Sequence, residues 1–201
     1  MIETQIFKIL VAHVPKGATH YCFDLWNEHK FIFKVKAKRA TKLGDYKFTP
    51  ENRSHKITIN NDLNSYSFLI TYLHEVAHLI TYKQFGRTVL PHGKEWKANF
   101  KSLTLPMMNT VVFPDNVLRK LANYIKNPKA SSCNDHELMK ALNAYEETDS
   151  IFLSDLAKGA NFKLGTRAFK KETLRRTRFV CQEVSTGRKY LISRTALVEP
   201  F

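Results

Sequence analysis

Asn64-Ser65-Tyr66-Ser67-Phe68-Leu69-Ile70-Thr71-Tyr72-Leu73-His74-Glu75-Val76-Ala77-His78-Leu79-Ile80-Thr81-Tyr82-Lys83-Gln84-Phe85-Gly86 is the stretch that decides the fold. Asn64 and Ser65 are competent N-caps, Gly86 is a natural C-terminal stop, and no Gly or Pro lies between them, so the spacing predicts one long helix. Leu69, Leu73, Val76 and Ile80 line one face, and Phe68, Tyr72 and Leu79 line the adjacent one. A helix apolar over most of its circumference belongs at the centre of a core. Three polar residues, His74, Glu75 and His78, nevertheless sit inside it.

Those three residues form the pattern H-E-x-x-H, which a chain of this composition would contain by chance about 0.02 times. At roughly 100° per residue, His74 and His78 fall within about 40° of each other and one turn apart, so both imidazoles reach one ion. Glu75 then points beside it. Burying two imidazoles and a carboxylate is costly unless they find partners, and a divalent metal with a water supplies one. A hydrolytic site needs a third protein ligand and an open fourth position. The downstream candidates are His92, Glu95, His136 and more distant carboxylates. His92 follows the Gly86 stop and Pro91, where a returning chain can bring it back. Glu95, one turn on, is the competing ligand or a carboxylate that orients an imidazole.

Outward from this helix, Ile2, Ile6, Ile9 and Leu10 predict an amphipathic N-terminal helix ending near Pro15-Lys16-Gly17. Lys30 to Lys38 alternates Phe31, Phe33, Val35 and Ala37 against Ile32 and lysines, the period of a strand with one wet face. Leu43 to Phe48 and Lys56 to Asn60 read as two further strands around a polar turn, giving an antiparallel meander. Helices are predicted from Gly93 to about Ser102, from Asp115 to Lys126, and after the capping pair Asn134-Asp135, where Leu138, Leu142 and Tyr145 form a stripe. Beyond Gly159, Thr177 to Glu183 and Lys189 to Ser193 read as a hairpin around Ser185-Thr186-Gly187-Arg188. The expected organisation is an α+β domain over 1–128, an acidic helical connector over 129–158, and a basic β-rich module over 159–201.

The chain has 201 residues, 43% of them hydrophobic, enough to bury a sizeable core. No apolar run approaches the roughly 18 residues needed to span a bilayer, and the N-terminus lacks a signal-peptide profile, so no membrane and a cytoplasmic location are expected. Cys22, Cys133 and Cys181 are odd in number and include no C-x-x-C pair, which argues against a disulfide framework or a thiolate zinc ribbon. The formal net charge is +14. By segment it is +6 over 1–60, +5 over 61–130, −4 over 131–158 and +7 over 159–201. Two basic blocks flanking an acidic one attract a polyanion such as nucleic acid through counterion release; the plain alternative is a solvated surface that keeps the protein soluble.

The apolar helix with His74-Glu75-x-x-His78, followed about a dozen residues later by His92-Gly93-x-x-Trp96, resembles the SprT-like zinc metalloproteases, the family of the Spartan proteases. The strands Leu43-Gly44-Asp45-Tyr46 and Ile57-Thr58-Ile59-Asn60 resemble that family's core, and the likeness covers about residues 1–125. It implies a zincin-like fold with the H-E-x-x-H helix on a small sheet, and one zinc held by His74, His78 and His92. It also implies Glu75 as general base and cleavage of proteins associated with or cross-linked to DNA. Such proteins often end in a zinc ribbon with paired cysteines. Here only Cys181 stands in that region, so no second metal is expected and a metal-free β module takes the ribbon's place.

Arg167, Lys170, Lys171, Arg175, Arg176 and Arg178, interrupted by Phe169 and Phe179, fit a phosphate-contacting surface; the alternative is a charge-guarded strand edge. Lys34, Lys36, Lys38, Arg39 and Lys42 place alternate lysines on one strand face, either extending that track or forming the wet side of the sheet. An oxyanion donor is expected, with His55, Tyr66, Tyr82, Arg87 and Lys94 as candidates. His13, His20 and His29 have no ligand spacing, Cys22 and Cys133 read as incidental thiols, and Trp26, Phe31 and Phe33 as core aromatics. The leading expectation is a zinc-dependent protease acting on DNA-associated or DNA-cross-linked proteins, with DNA as partner. Two alternatives stand beside it: a nucleic-acid-binding protein with a structural, non-catalytic zinc, and a zincin peptidase unrelated to DNA.

Overall fold

The computed structural model describes residues 2–39, 41–129, 135–146 and 150–201, so Cys133 and Asn134 lie outside the described residues. The chain is α+β and divides into two compact units, Met1–Glu146 and Glu147–Phe201. The segment 129–158 is shared between them.

In the first unit, α1 (Ile2–His13), α2 (Thr19–His29), β1 (Ile32–Lys36), β2 (Gly44–Thr49) and β3 (Ser54–Asn60) precede α3 (Ser65–Phe85). After it come α4 (Lys94–Thr104), α5 (Asp115–Tyr124) and α6 (His136–Asn143). Helix α2 has no counterpart in the expectations. Its buried Cys22, Leu25 and Trp26 stand at helical spacing, and the Trp26 indole N–H donates to the Phe31 carbonyl at 2.9 Å.

The three strands are not a meander. The sheet order is β1-β3-β2, with β1 parallel to β3 and β2 antiparallel to it. A meander would put Gly44 and Asp45 at the centre. Instead β3, whose Ile57 and Ile59 are fully buried, takes that position and leaves β2 at the edge. Phe33 packs edge-on against Phe68 and Tyr72 of α3, and the Tyr72 hydroxyl donates to the buried Cys22 carbonyl at 2.7 Å.

Helix α3 begins and ends as its flanks require. The Asn64 side chain accepts from the Ser67 amide at 2.9 Å, and Gly86 adopts φ +60° after the last turn. The same Asn64 amide group donates to the Leu142 carbonyl at 3.0 Å and to Glu146 at 2.6 Å, tying α3 to the end of α6. Asp135 caps α6 in the same manner, and Leu138 and Leu142 belong to the first unit's core.

The second unit is a six-stranded sheet of order β4-β9-β5-β6-β7-β8. Its strands are β4 (Ile151–Phe152), β5 (Asn161–Leu164), β6 (Arg167–Arg175), β7 (Arg178–Glu183), β8 (Lys189–Ser193) and β9 (Leu197–Pro200). The expected β7–β8 hairpin is present, with Phe179 opposite Ile192 and Cys181 opposite Tyr190. Leu153, Phe162, Phe169, Cys181, Ile192 and Val198 form the core. Among the described residues, no helix is long and apolar enough to cross a membrane.

Replacing Asn64 with Ala removes a cap and its two links to α6 together. The expected cost is about 1–2 kcal/mol of unfolding free energy, read by urea denaturation; an unchanged midpoint would mean that this junction carries no stability.

Candidate metal centre

Helix α3 places His74 and His78 one turn apart, and the chain returns to them through a turn. The Gly93 amide donates to the Leu90 carbonyl at 2.9 Å, with Pro91 second and His92 third, and His92 takes φ +59°. That left-handed conformation is what the third residue of a Pro-led type II turn adopts, usually with Gly or Asn there. A histidine accepts the strain, and the turn delivers its ring to α3.

The three Nε2 atoms converge: His74 to His78 is 3.2 Å, His78 to His92 is 2.9 Å, and His92 to His74 is 3.2 Å. Three imidazole nitrogens in a triangle cannot all be satisfied by protons between them. Ligand nitrogens at about 2.0–2.1 Å from a tetrahedral ion stand about 3.3 Å apart, so the triangle fits a metal ion and these residues could hold one. Burial, reinforced by the neighbouring imidazoles, lowers His74 and His78 to about 3, and burial lowers His92 as well. All three rings are therefore neutral near pH 7, with lone pairs available. Glu95 and His136 are outside the cluster: Glu95 lies 3.9 Å from Lys94, and His136 lies beside Glu137 on α6.

Trp96 closes one side of the centre. It is wholly buried, its ring lies 4.6 Å from that of His74, 5.3 Å from His78 and 4.7 Å from His92, and its other neighbour is Phe100, stacked at 5.2 Å. Gly93 caps α4 three residues earlier, so one short segment supplies both the third imidazole and the wall behind the set.

Strand β2 covers Glu75. A Cβ at Gly44 would stand 2.7 Å from Glu75 Oε1 and 2.6 Å from Thr71 Cγ2, so only glycine lets the strand approach this closely. The Tyr46 amide donates to the Glu75 carboxylate. Burial and then Asp45 push Glu75 up to about 8, against the pull of that amide, Arg39 and Lys42.

The sequence reading missed Tyr46. Its ring lies parallel to that of His78 at 6.4 Å, and its hydroxyl is hydrogen-bonded to His55 Nδ1 at 2.9 Å. The period of β2 carried the signal, since Tyr46 and Phe48 share a face with Gly44. Tyr82 packs on Phe48 at 4.6 Å and, with Tyr46, His78, Arg87, Leu90 and Trp96, lines a cleft of about 410 Å³ beside the histidines. Of the other proposed oxyanion donors, Tyr66 packs on Phe113 and Tyr145, and the Lys94 ammonium is exposed.

A family model described as SprT-like matches residues 12–113, just over half of the chain and the part that carries His74, Glu75, His78 and His92. The chain belongs to the SprT-like family. Proteins named Protein SprT from Escherichia coli O157:H7, Shigella boydii serotype 18 and Escherichia fergusonii are each 38% identical to it over 90 residues. That alignment takes in 42% of this chain and 52% of each relative, so the chain spans about half the length of the curated relatives it matches. No solved structure matches it. Family membership thus rests on the first unit, and the matched span ends well before the β-rich second one.

The basic residues named from the sequence separate in the second unit. Arg167 is paired with Glu183 at 2.6 Å and lies over the rings of Tyr190 and Phe169. Lys171 is buried, and its ammonium donates to the carbonyls of Leu153 at 2.6 Å and Ser154 at 3.3 Å and to that of Leu156. Lys170 is exposed on β6, while Arg175, Arg176 and Arg178 are exposed around the β6–β7 turn. Elsewhere, His13 bonds the Ile9 carbonyl, His20 packs on Phe7, and His29 lies 3.8 Å from Glu28. Cys22 and Cys181 are buried core thiols.

Two outcomes are expected. Purified protein titrated with a divalent metal should lose at least tenfold in affinity on His92→Ala and little on Glu95→Gln; the reverse would exchange their roles. In chelator-stripped protein, His74 and His78 bind fewer protons folded than unfolded between about 3 and 6.5, so they cost stability as pH falls below 6.5. Glu75 binds more protons folded between 4.5 and about 8, so its contribution is lost as pH rises through that window. The melting temperature of stripped protein should therefore peak near pH 6.5, and Glu75→Gln should flatten the fall above it.

Proposed function

We propose that this protein is a zinc-dependent metalloprotease of zincin type that cleaves DNA-associated or DNA-cross-linked proteins. The observation that carries the reading is the triangle of three neutral Nε2 atoms, two on an apolar helix and the third brought back by the turn at His92, with a buried carboxylate, Glu75, next to the first of them. Structural zinc sites use four protein ligands, whereas the described residues bring three together, the number a hydrolytic site uses. The DNA part of the reading is supported by the net charge of +14 and by the exposed arginines of the β6–β7 turn.

A zinc ion bound by His74, His78 and His92 would polarise the scissile carbonyl and acidify water. Glu75 accepts the proton of the attacking water and returns it to the leaving amine. Its burial raises its proton affinity, which suits it to hold the proton between the two steps, and a cation beside it would favour the carboxylate form that accepts the proton first. Gly44 and the Tyr46 amide hold the carboxylate in place. Strand β2 is the edge of its sheet next to this centre, so an extended substrate chain can add to it by backbone hydrogen bonding. The cleft bounded by Tyr46, Tyr82, Leu90 and Trp96 then receives an apolar side chain flanking the cleaved bond.

The test is cleavage of a DNA-binding protein by zinc-loaded enzyme, with and without DNA. Glu75→Gln should keep its zinc and lose cleavage by about 10²-fold or more, and Gly44→Ala should keep its zinc while losing activity through a displaced Glu75. Full activity in Glu75→Gln would sink the proposed mechanism.

A further inference from the structure

The sheet of the first unit has two faces, and only one is explained by the metal centre. Phe33, Ile57, Ile59 and Tyr46 belong to the core cluster or pack against it. The residues of opposite parity point away from it, because successive side chains in a strand alternate between faces. On that outer face β1 carries Lys34 and Lys36, β3 carries Lys56, and β2 carries Lys47. Arg39 lies across it, donating to Asn60 at 2.7 Å and to the Thr58 hydroxyl at 2.9 Å. Asp45, at the same face, is taken by Lys42 at 2.8 Å. Among the described residues, no carboxylate pairs with Lys34, Lys36, Lys47 or Lys56.

The register makes this more than a wet surface. Lys47 stands directly opposite Lys56 in the antiparallel pair, and like charges so placed destabilise a sheet. Lysines on β1 and β2 have a structural reason, since charge on an edge strand deters stray pairing. Lys56 has none of that kind, because β3 is the central strand. A cost borne at the centre of a sheet points to an external anion that repays it.

We propose that this outer face binds the phosphate backbone of duplex DNA without reading its sequence. The inference rests on the DNA part of the preceding reading and places a DNA contact on the catalytic unit itself. Duplex fits better than single strand because single-stranded binders stack bases on aromatic rings, and the outer-face residues include none. A protein partner fits less well, because its interface would need large apolar or aromatic anchors, and Ile32 is the only such side chain on these three strands' outer face. Cations about 5 Å apart across strands and about 7 Å apart along them face a dense, regular row of anions.

The test is fluorescence anisotropy of two labelled duplexes of unrelated sequence with the full chain, over about 50–200 mM salt. The triple variant Lys34→Gln, Lys36→Gln, Lys56→Gln should weaken both duplexes equally and lower the salt slope by about 2–3. Replacing the same three with Arg should restore both. A control removing equal charge elsewhere, Lys8→Gln, Lys101→Gln, Lys158→Gln, should leave the slope within about one unit. Equal losses in the triple variant and the control would overturn the proposal. So would a loss seen only when Arg175, Arg176 and Arg178 are replaced, or a wild type that does not bind duplex. Metal-dependent cleavage of casein without DNA tests the protease reading separately, so either can fail while the other stands.

Discussion

Everything around the centre follows from placing two imidazoles and a carboxylate within a helix that is buried over most of its length. Water would satisfy them at a surface; inside a core the fold must supply each partner. A turn brings a third imidazole to the first two, Trp96 shuts out solvent behind them, and an edge strand lays an amide on Glu75. Gly44 and the strained His92 are the concessions this requires: one residue gives up its side chain, the other an ordinary backbone conformation. The family match spans this assembly rather than the chain as a whole.

Most of the first unit was legible because its elements are marked by local chemistry. Asn64 and Gly86 bound α3, Asp135 opens α6, and the alternation of Phe31, Phe33 and Val35 marks β1, each through interactions within a few residues. Sheet order was not legible. It depends on which strand buries most apolar surface, a comparison between distant segments that placed β3 ahead of β2. Helix α2 was missed although Cys22, Leu25 and Trp26 carry its period, because His20, Asp24, Asn27 and Glu28 dilute the pattern.

Within the site, the pairing of His74 with His78 was readable from spacing alone, whereas the return of His92 rather than Glu95 to that pair needed the turn geometry. Tyr46 was overlooked because its role runs through its backbone amide and its stacking on His78, neither of which a residue type announces. The basic cluster of the second unit shows the complementary limit. A run of cations looks uniform in sequence, yet Arg167 is consumed by Glu183 and Lys171 by carbonyls, while the arginines of the turn are exposed.

Lys171 has one more consequence. Its ammonium gathers carbonyls from Leu153, Ser154 and Leu156, the stretch that follows β4 at the start of the second unit, and sits 3.9 Å over the Phe179 ring. That start is thus a plug for a buried charge, and trimming it would expose an ammonium to an apolar interior with nothing to receive its protons. The second unit can be cut free and studied alone only if the cut falls ahead of Ile151, and a deletion series across that point would break abruptly rather than fade.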